Sequence, residues 1–398
     1  MALKKIHVIG TGGTISQITD PDSGTKIPVQ SVKQIFGMFP EFSCEYRLSF
    51  SDVCIIDSSD MSPAIWAEIG SELVEKLRDP EINGILITHG TDTMAWTAMY
   101  FYLSLKNINK PVVLTGSQKT VGEEGSDVFN NLDAALFTAA NSCFREPVVV
   151  FCDKVFDAPN LRKVKIWDLD PYRKINGEPI AYLQRDGKRV SEIRYSNFEL
   201  LQKRYNFIDS VMSEYYSSIN TPKQNRSSTS HIERKISPFF DYDFTQKVEI
   251  ISVWPGISYK IINKFLALLD GAVVVGFGAG NAHRRLKPLF EDVTIPVVFC
   301  SSGEGELDML EYGSGKRFSD LVVPSGDWIP EYSSMRLSYI LGHEEIASFN
   351  RKKIYEIFLQ GARIKSKEKY EEETSIKVGE WDMLFSLPFE VMLHRLSL

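Results

Sequence analysis

Two short polar segments that each follow an apolar run carry the residue types best suited to chemistry. The first is residues 11–15 (TGGTI), directly after Val8 and Ile9, and the second is residues 89–94 (HGTDTM), directly after residues 85–87. Short runs of Val, Ile and Leu bounded by glycine predict buried parallel strands. Ligands bind at the carboxyl ends of such strands in open α/β sheets, so the two segments are the predicted active site.

The first segment holds a candidate nucleophile. A threonine hydroxyl attacks a carbonyl only when a neighbouring group removes its proton and fixed donors meet the oxyanion. Gly12 and Gly13 have no Cβ, so a substrate can approach the main-chain N–H groups there while Thr14 projects from the loop. The same residues would also make a tight turn in which Thr14 caps a helix. The segment alone leaves both interpretations open.

The second segment places an imidazole, two hydroxyls and a carboxylate at one strand end. Polar side chains at such a position need partners. We interpret His89 as a structural histidine rather than a catalytic base. Asp92 is interpreted as the acceptor for an ammonium group of a ligand. Thr91 is either a helix cap or a second catalytic hydroxyl.

Composition narrows the class of partner. The chain has 398 residues, 43% of them hydrophobic, which is enough for two domains. Its 45 Lys and Arg against 52 Asp and Glu give a net charge of -7, so we expect a small-molecule partner, no nucleic acid and no membrane. Three features favour a cytoplasmic protein. The five cysteines are scattered, and no run of about 18 consecutive apolar residues occurs. A strand is predicted so near Met1 that a signal peptide has no room. The six histidines show no metal-ligand spacing.

Strands and helices alternate along the first half of the chain. Strands are predicted at 6–10, near 52–56, and at 84–88, 111–115 and 147–152, with helices at 29–38, 63–78 and 127–140. This alternation predicts an α/β protein with a larger, mainly parallel sheet flanked by helices. A smaller C-terminal α/β domain is predicted from three further apolar runs, at 248–253, 271–276 and 295–300.

Four regions follow from this pattern. Residues 1–198 form the domain with the catalytic motifs, 199–246 a linker or insertion, 247–368 the smaller domain and 369–398 a C-terminal extension. The polar stretch 221–230 is interpreted as an exposed linker. The apolar end of the extension, 381–398, is predicted to pack on the chain's own core, with a subunit contact as the alternative.

With these motifs the chain resembles the bacterial-type L-asparaginase and glutaminase family, most of all its cytoplasmic type I branch. TGGTI and HGTDTM are the two signatures of that family. The resemblance continues through residues 57–61 (DSSDM), 115–118 (TGSQ), 126–127 with 131–132, 254–258 (WPGIS) and 278–281 (GAGN). It covers most of residues 5–345 but neither the segment near 200–246 nor the last thirty residues.

The resemblance implies catalytic roles for four residues. Thr14 would be the nucleophile that attacks the side-chain carboxamide. Thr91, Asp92 and Lys163 would form a second catalytic group that activates a hydroxyl or water. Lys163 rests on the resemblance alone, because its neighbours Arg162 and Lys165 would otherwise mark it as a surface residue.

The resemblance also implies a substrate pocket. Ser58 would bind the α-carboxylate, Ser59 would line the same pocket and Asp92 would bind the α-ammonium, which provides the donors and acceptor that a zwitterion needs. Ser117 would lie near the carboxamide. Main-chain amides near Gly13 and Thr91 would form the oxyanion hole.

The implied reaction converts L-asparagine to L-aspartate and ammonia through a threonine acyl-enzyme, with L-glutamine as a possible second substrate and no cofactor. A homodimer or homotetramer is expected by the same resemblance. Two alternatives are a non-catalytic or weakly active amino-acid-binding or regulatory protein on this scaffold, and an amidotransferase-type glutaminase subunit.

One residue of the family pattern is missing. Family members carry a tyrosine on a lid after the first motif, whereas this chain has no tyrosine between Ser16 and Cys44 and has Lys26 at the corresponding place. Three explanations compete: Lys26 lowers the pKa of the Thr14 hydroxyl, Tyr46 reaches in from elsewhere, or activity is weak or redirected. We expect retained chemistry, since the four catalytic residues are present.

Overall fold

An eight-stranded sheet with five parallel strands forms the framework of the first of two units. The structure is a computed structural model that describes residues 2–19, 26–28, 31–219, 237–379 and 387–396. The first unit comprises Met1–Lys174, Glu178–Asp241 and Phe385–Leu398, and the second comprises Ile175–Gly177 and Tyr242–Leu384.

The strands of the first unit, in chain order, are β1 Lys5–Gly12, β2 Gln17–Thr19, β3 Lys26–Pro28, β4 Arg47–Ile56, β5 Gly84–Thr88, β6 Leu105–Lys106, β7 Val112–Thr115, β8 Pro147–Phe151, β9 Lys154–Asp157, β10 Leu161–Lys163, β11 Tyr172–Lys174, β12 Ala181–Asp186, β13 Arg189–Tyr195 and β14 Phe239–Phe240. The large sheet has the order β13-β12-β9-β8-β7-β5-β1-β4. Its members β4, β1, β5, β7 and β8 are parallel, whereas β9, β12 and β13 are joined by antiparallel pairings. Because β5, β7 and β8 are buried along their whole length, they read as continuous apolar runs.

Helices of the first unit cover the sheet. They are Val32–Gly37, Glu41–Glu45, Pro63–Arg78, Met94–Ser104, Val128–Asn141, Phe198–Ile219 and Phe389–Arg395. The helix Pro63–Arg78 begins at a proline, directly after an extended Ser62. Proline is accommodated in the first helical turn because an N–H at that position would have no partner within the helix.

The second unit contains a smaller, four-stranded parallel sheet. Its strands are β15 Val248–Ser252, β16 Gly271–Gly276, β17 Val297–Ser301 and β18 Val323–Pro324, paired in that order. Its helices are Tyr259–Leu266, Lys287–Asp292, Gly313–Lys316, Pro330–Gly342, Arg351–Phe358 and Lys367–Thr374. The predicted α/β class, with a larger mainly parallel sheet and a smaller C-terminal α/β part, is confirmed.

The segment predicted as a linker or insertion, 199–246, contains regular structure. The helix Phe198–Ile219 spans 22 residues, and its side chains Leu201, Tyr205 and Tyr216 are buried. Leu201, Tyr205, Ile208 and Met212 recur three or four residues apart, which is the spacing of an amphipathic helix. The stretch 221–230 lies outside the described residues.

The C-terminal helix Phe389–Arg395 packs against this same helix. The His394 ring meets the Tyr215 ring with centroids 5.2 Å apart, and Arg395 lies 3.6 Å from Glu214. Val391 and Met392 are buried. This end of the extension therefore packs within the first unit. In the part of the chain that the structure describes, no helix is both long and apolar enough to cross a bilayer.

Candidate active site

Four neighbouring parallel strands end at one edge of the large sheet, and each is followed by a predicted site residue. In sheet order these strands are β4, β1, β5 and β7. Ser58 and Ser59 follow β4, Gly13 and Thr14 follow β1, Thr91 and Asp92 follow β5, and Ser117 follows β7. The parallel topology thus brings seven of the predicted residues to the edge where α/β sheets bind ligands.

The loops after β1 and β5 touch through their main chains. Gly13 has a φ of 76°, and a Cβ there would lie 2.3 Å from Gly90 Cα. A Cβ on Gly90 would in turn lie 2.6 Å from Ser58 Cβ. Only glycine allows this approach, so the glycines of both motifs bring the Thr14 loop, the Thr91 loop and Ser58 together.

Lys163 reaches the second motif from a separate hairpin. It ends β10, which pairs with β11 in a two-stranded antiparallel sheet. Its Nζ donates to Thr91 Oγ1 at 2.8 Å and lies 2.6 Å from Asp92 Oδ1. The Lys163 side chain is 15% exposed and that of Asp92 68% exposed, so the ammonium lies inside the site and the carboxylate keeps an open face.

Gln118 completes the surroundings of the Thr91 hydroxyl. Thr91 Oγ1 donates to Gln118 Oε1 at 3.1 Å, while the Gln118 amide nitrogen donates to the carbonyls of Ile166 and Asp168 at 3.1 and 2.8 Å. The hydrogen bonds from its nitrogen therefore hold the Gln118 side-chain amide with its oxygen toward Thr91. The Thr91 proton points to Gln118, and the oxygen accepts from Lys163.

His89 is fully buried and both ring nitrogens have partners. Nδ1 lies 2.7 Å from the Gly90 carbonyl, and Nε2 lies 2.9 Å from Thr97 Oγ1, which also accepts from Trp66 Nε1. We assign the neutral tautomer with the proton on Nδ1, since a carbonyl can only accept. Burial lowers the His89 pKa to about 4. These contacts agree with the interpretation of a structural histidine.

The three serines differ in their surroundings. Ser58 is buried, and its carbonyl accepts from Thr93 Oγ1 at 2.7 Å. Ser59 is exposed and donates through its N–H and hydroxyl to Asp57 Oδ1, at 2.9 and 2.7 Å, which lowers the Asp57 pKa. Ser117 is fully buried, and its hydroxyl has no hydrogen-bond partner among the described residues.

One main-chain donor near the predicted oxyanion hole is already engaged. The Gly13 N–H donates to the Ile56 carbonyl at 2.9 Å, a contact that joins the ends of β1 and β4. Gly13 therefore serves the site through its conformation and close contact. The Gly13 N–H is therefore not free to serve the predicted oxyanion hole.

The structure eliminates one explanation for the missing lid tyrosine. Tyr46 precedes β4 and is buried in the core, whereas the site lies beyond the far end of this ten-residue strand. The separation is roughly 30 Å at about 3.3 Å per residue. The proposal that Tyr46 reaches Thr14 is wrong. Lys26 begins β3, which pairs with β2 just after the Thr14 turn, and the structure describes its main chain only.

Two contacts of Thr91 were not predicted from the sequence. Gln118 stands out there only as part of a matching segment, and Tyr172, whose hydroxyl donates to the Thr91 carbonyl, belongs to no motif. Gln118 directly follows the predicted Ser117, and Tyr172 has no local sequence signal. Around these strand ends, the described residues offer no cluster of three His, Cys, Asp or Glu side chains that could share a metal ion.

Comparison with known proteins identifies the family. The N-terminal asparaginase family model matches residues 5–195, and the glutaminase/asparaginase C-terminal domain model matches residues 247–358. The chain is similar to the L-asparaginase of Thermococcus kodakarensis, with 30% identity over 348 residues, 85% of this chain and 93% of that protein. It is also similar to a glutamyl-tRNA(Gln) amidotransferase subunit of Saccharolobus solfataricus, with 28% identity over 86% of this chain and 73% of that protein.

Solved structures agree with these matches. The thermostable L-asparaginase from Thermococcus kodakarensis superposes with a TM-score of 0.70 at 27% identity, over 89% of this chain and 97% of that one. L-asparaginase I from Vibrio cholerae shares the fold, with a TM-score of 0.68 at 24% identity over 91% and 98% of the two chains. The family predicted from the two motifs is confirmed: the chain belongs to the asparaginase family and is an amide hydrolase.

Proposed function

We propose that this chain hydrolyses the side-chain amide of L-asparagine to L-aspartate and ammonia through an acyl-enzyme on Thr14. The observation that carries the proposal is the contact of the Lys163 ammonium with both Thr91 Oγ1 and Asp92 Oδ1, beside the loop that holds Thr14. A hydroxyl, an ammonium and a carboxylate in one chain of hydrogen bonds can move a proton at the second strand end.

In the first step Thr14 Oγ1 attacks the amide carbon and the carbonyl oxygen becomes an oxyanion. We assign its stabilisation to main-chain amides near Thr14 and Thr91, which the glycines leave accessible. The nucleophile's proton passes to the leaving nitrogen, and ammonia departs. In the second step Thr91, Lys163 and Asp92 activate a water that cleaves the ester and returns the proton to Thr14.

Recognition of the amino-acid end divides between donors and an acceptor. Ser58, buried at the end of β4, is assigned to the α-carboxylate, and the open face of Asp92 is assigned to the α-ammonium. Ser59 lines the same region through the turn that it makes with Asp57. The unpartnered Ser117 hydroxyl supports its assignment near the carboxamide, because a buried hydroxyl favours a partner.

The choice between asparagine and glutamine defines a second candidate function. The relative named L-asparaginase supports asparagine, whereas the relatives named as amidotransferase subunits support a glutamine-hydrolysing protein that works with other chains. A pocket distinguishes one methylene by only about 1–3 kcal/mol. We propose asparagine as the main substrate and a homodimer or homotetramer as the assembly.

Ammonia release from L-asparagine and L-glutamine by the wild type and by Thr14→Ala tests this proposal. We expect the wild type to favour asparagine and Thr14→Ala to lose at least about 10³-fold in kcat, since no acyl-enzyme can form. Thr138→Ala is the matched control, because Thr138 is buried in the helix Val128–Asn141. A Thr14→Ala enzyme with full activity would refute the acyl-enzyme. Equal or greater release from glutamine would favour the second candidate.

The same assay examines the lid position. If Lys26 takes over a catalytic task, Lys26→Tyr abolishes ammonia release; if the lysine only impairs closure, Lys26→Tyr raises it. A wild type that binds asparagine in calorimetry without turnover would instead support the amino-acid-binding alternative.

A further inference from the structure

Tyr172 occupies an unusual position for a buried hydroxyl. It begins β11 and is the Cα partner of Lys163 across the β10–β11 hairpin. Its side chain is 2% exposed, and its ring packs edge-on against Phe151 with centroids 5.3 Å apart. Phenylalanine would fill the same space. The hydroxyl is distinguished by its partner, the main-chain carbonyl of Thr91, to which it donates.

Thr91 is therefore held at two points by one hairpin. Lys163 Nζ contacts its side-chain oxygen and Tyr172 contacts its carbonyl oxygen. A lysine ammonium ends a flexible four-carbon stem and cannot by itself fix the group that it touches. Tyrosine has a rigid ring and few rotamers, so the second contact fixes the main chain of Thr91 relative to the strand that carries Lys163.

The hydroxyl can act as a donor throughout the working range of pH. Burial raises the Tyr172 pKa well above its ordinary value, and the nearby Asp92 charge raises it further. The carbonyl of Thr91 can only accept. Neither atom takes part in the proton transfers of the proposed mechanism.

The hairpin has other attachments that do not involve Tyr172. The Gln118 amide nitrogen donates to the carbonyls of Ile166 and Asp168 in the hairpin loop. At the base, Lys174 Nζ lies 2.6 Å from Asp157 Oδ1, with both side chains nearly buried. Removal of the Tyr172 hydroxyl should therefore leave the hairpin folded and loosen only its position relative to Thr91.

We propose that Tyr172 is a positioning residue, whose hydroxyl holds the Thr91 main chain so that Lys163 Nζ and Thr91 Oγ1 meet in the geometry that proton transfer needs. This role rests on the proposed function, because it acts through the Thr91 and Lys163 pair. The proposed role affects the rate of the chemical step and does not affect substrate binding at the Ser58 end of the pocket.

Tyr172→Phe separates the hydroxyl from the ring. One lost hydrogen bond realised in the transition state lowers kcat about tenfold, while KM for asparagine stays within about twofold. The matched control is Tyr355→Phe in the second unit, since Tyr355 is also buried and its hydroxyl accepts from the Val297 N–H at 3.0 Å. We expect the control to keep wild-type kcat and both variants to have similar melting temperatures.

Each other outcome is decisive. A Tyr172→Phe kcat within twofold of the wild type overturns the positioning role, as does an equal loss in Tyr355→Phe. A rise in KM at constant kcat would place the effect on substrate binding and also overturn it. Failure of Tyr172→Phe to fold at 25 °C would make the hydroxyl structural. A wild type without ammonia release from either amide would instead overturn the proposed function itself.

Discussion

Replacement of Lys163 by methionine tests the centre of the proposed site. Methionine preserves much of the side chain's length and apolar stem but removes the donor to Thr91 and the positive charge beside Asp92. Because Asp92 is 68% exposed, solvent screens the ion pair and its loss should change the free energy of unfolding by less than about 1 kcal/mol. The catalytic effect should be larger, since the Lys163 side chain is only 15% exposed and touches the Thr91 hydroxyl directly.

A positioned proton-transfer group contributes about 10²–10⁴-fold to rate, or roughly 3–6 kcal/mol of barrier at about 1.4 kcal/mol per tenfold. We therefore expect Lys163→Met to lower kcat for asparagine at least about 10²-fold with almost unchanged stability. Steady-state ammonia release and urea unfolding measure the two quantities separately.

Lys165→Met is the matched control. Lys165 lies two residues away in the chain, is 44% exposed and pairs with Asp168 rather than with a site residue. It should keep kcat within about twofold, since a surface ion pair contributes about 0–1 kcal/mol. Lys163→Arg retains the charge but cannot give up its proton, so recovery with arginine would assign Lys163 an electrostatic role only. A Lys163→Met enzyme with wild-type kcat would refute the reasoning.

Two further predictions concern the second motif and its contact with the first. Gly13→Ala should destabilise the protein more than Gly122→Ala in urea unfolding. Both residues have positive φ, 76° and 84°, which costs alanine about 1–2 kcal/mol. A Cβ on Gly13 would in addition lie 2.3 Å from Gly90 Cα, whereas a Cβ on Gly122 would meet no atom within 4 Å. Equal destabilisation would show that the loops do not need this approach. His89, whose pKa falls to about 4 in the folded state from 6.5, binds fewer protons folded than unfolded between these values, so its contribution to stability is lost as pH falls through that window. The free energy of unfolding should therefore drop by about 2 kcal/mol more in the wild type than in His89→Gln between pH 8 and pH 5, and parallel pH profiles would contradict the buried neutral imidazole.

The central strands and the two motifs could be predicted because their signals are local. β5, β7 and β8 are covered on both faces, and such strands are almost continuously apolar. Parallel pairing then brings their carboxyl ends to a common edge. The positions of Thr14 and Thr91 at that edge followed from the apolar runs before them, whereas Ser58 and Ser117 were assigned to the site only through the resemblance. The helix Phe198–Ile219 was not predicted, although Leu201, Tyr205, Ile208 and Met212 have the spacing of an amphipathic helix, because the polar stretch that follows it directed the interpretation toward a linker.

The partners of Thr91 were decided by tertiary structure. Gln118, Lys163 and Tyr172 lie 27, 72 and 81 residues from it in the chain. No periodicity links positions so far apart. The sequence around a lysine or tyrosine in a short hairpin does not indicate whether the side chain faces solvent or a catalytic threonine. Resemblance to a family identified Lys163, and the sequence had no signal for Tyr172. Local sequence determines which strands form because burial acts on each strand separately, whereas these contacts depend on where the hairpin packs against the sheet.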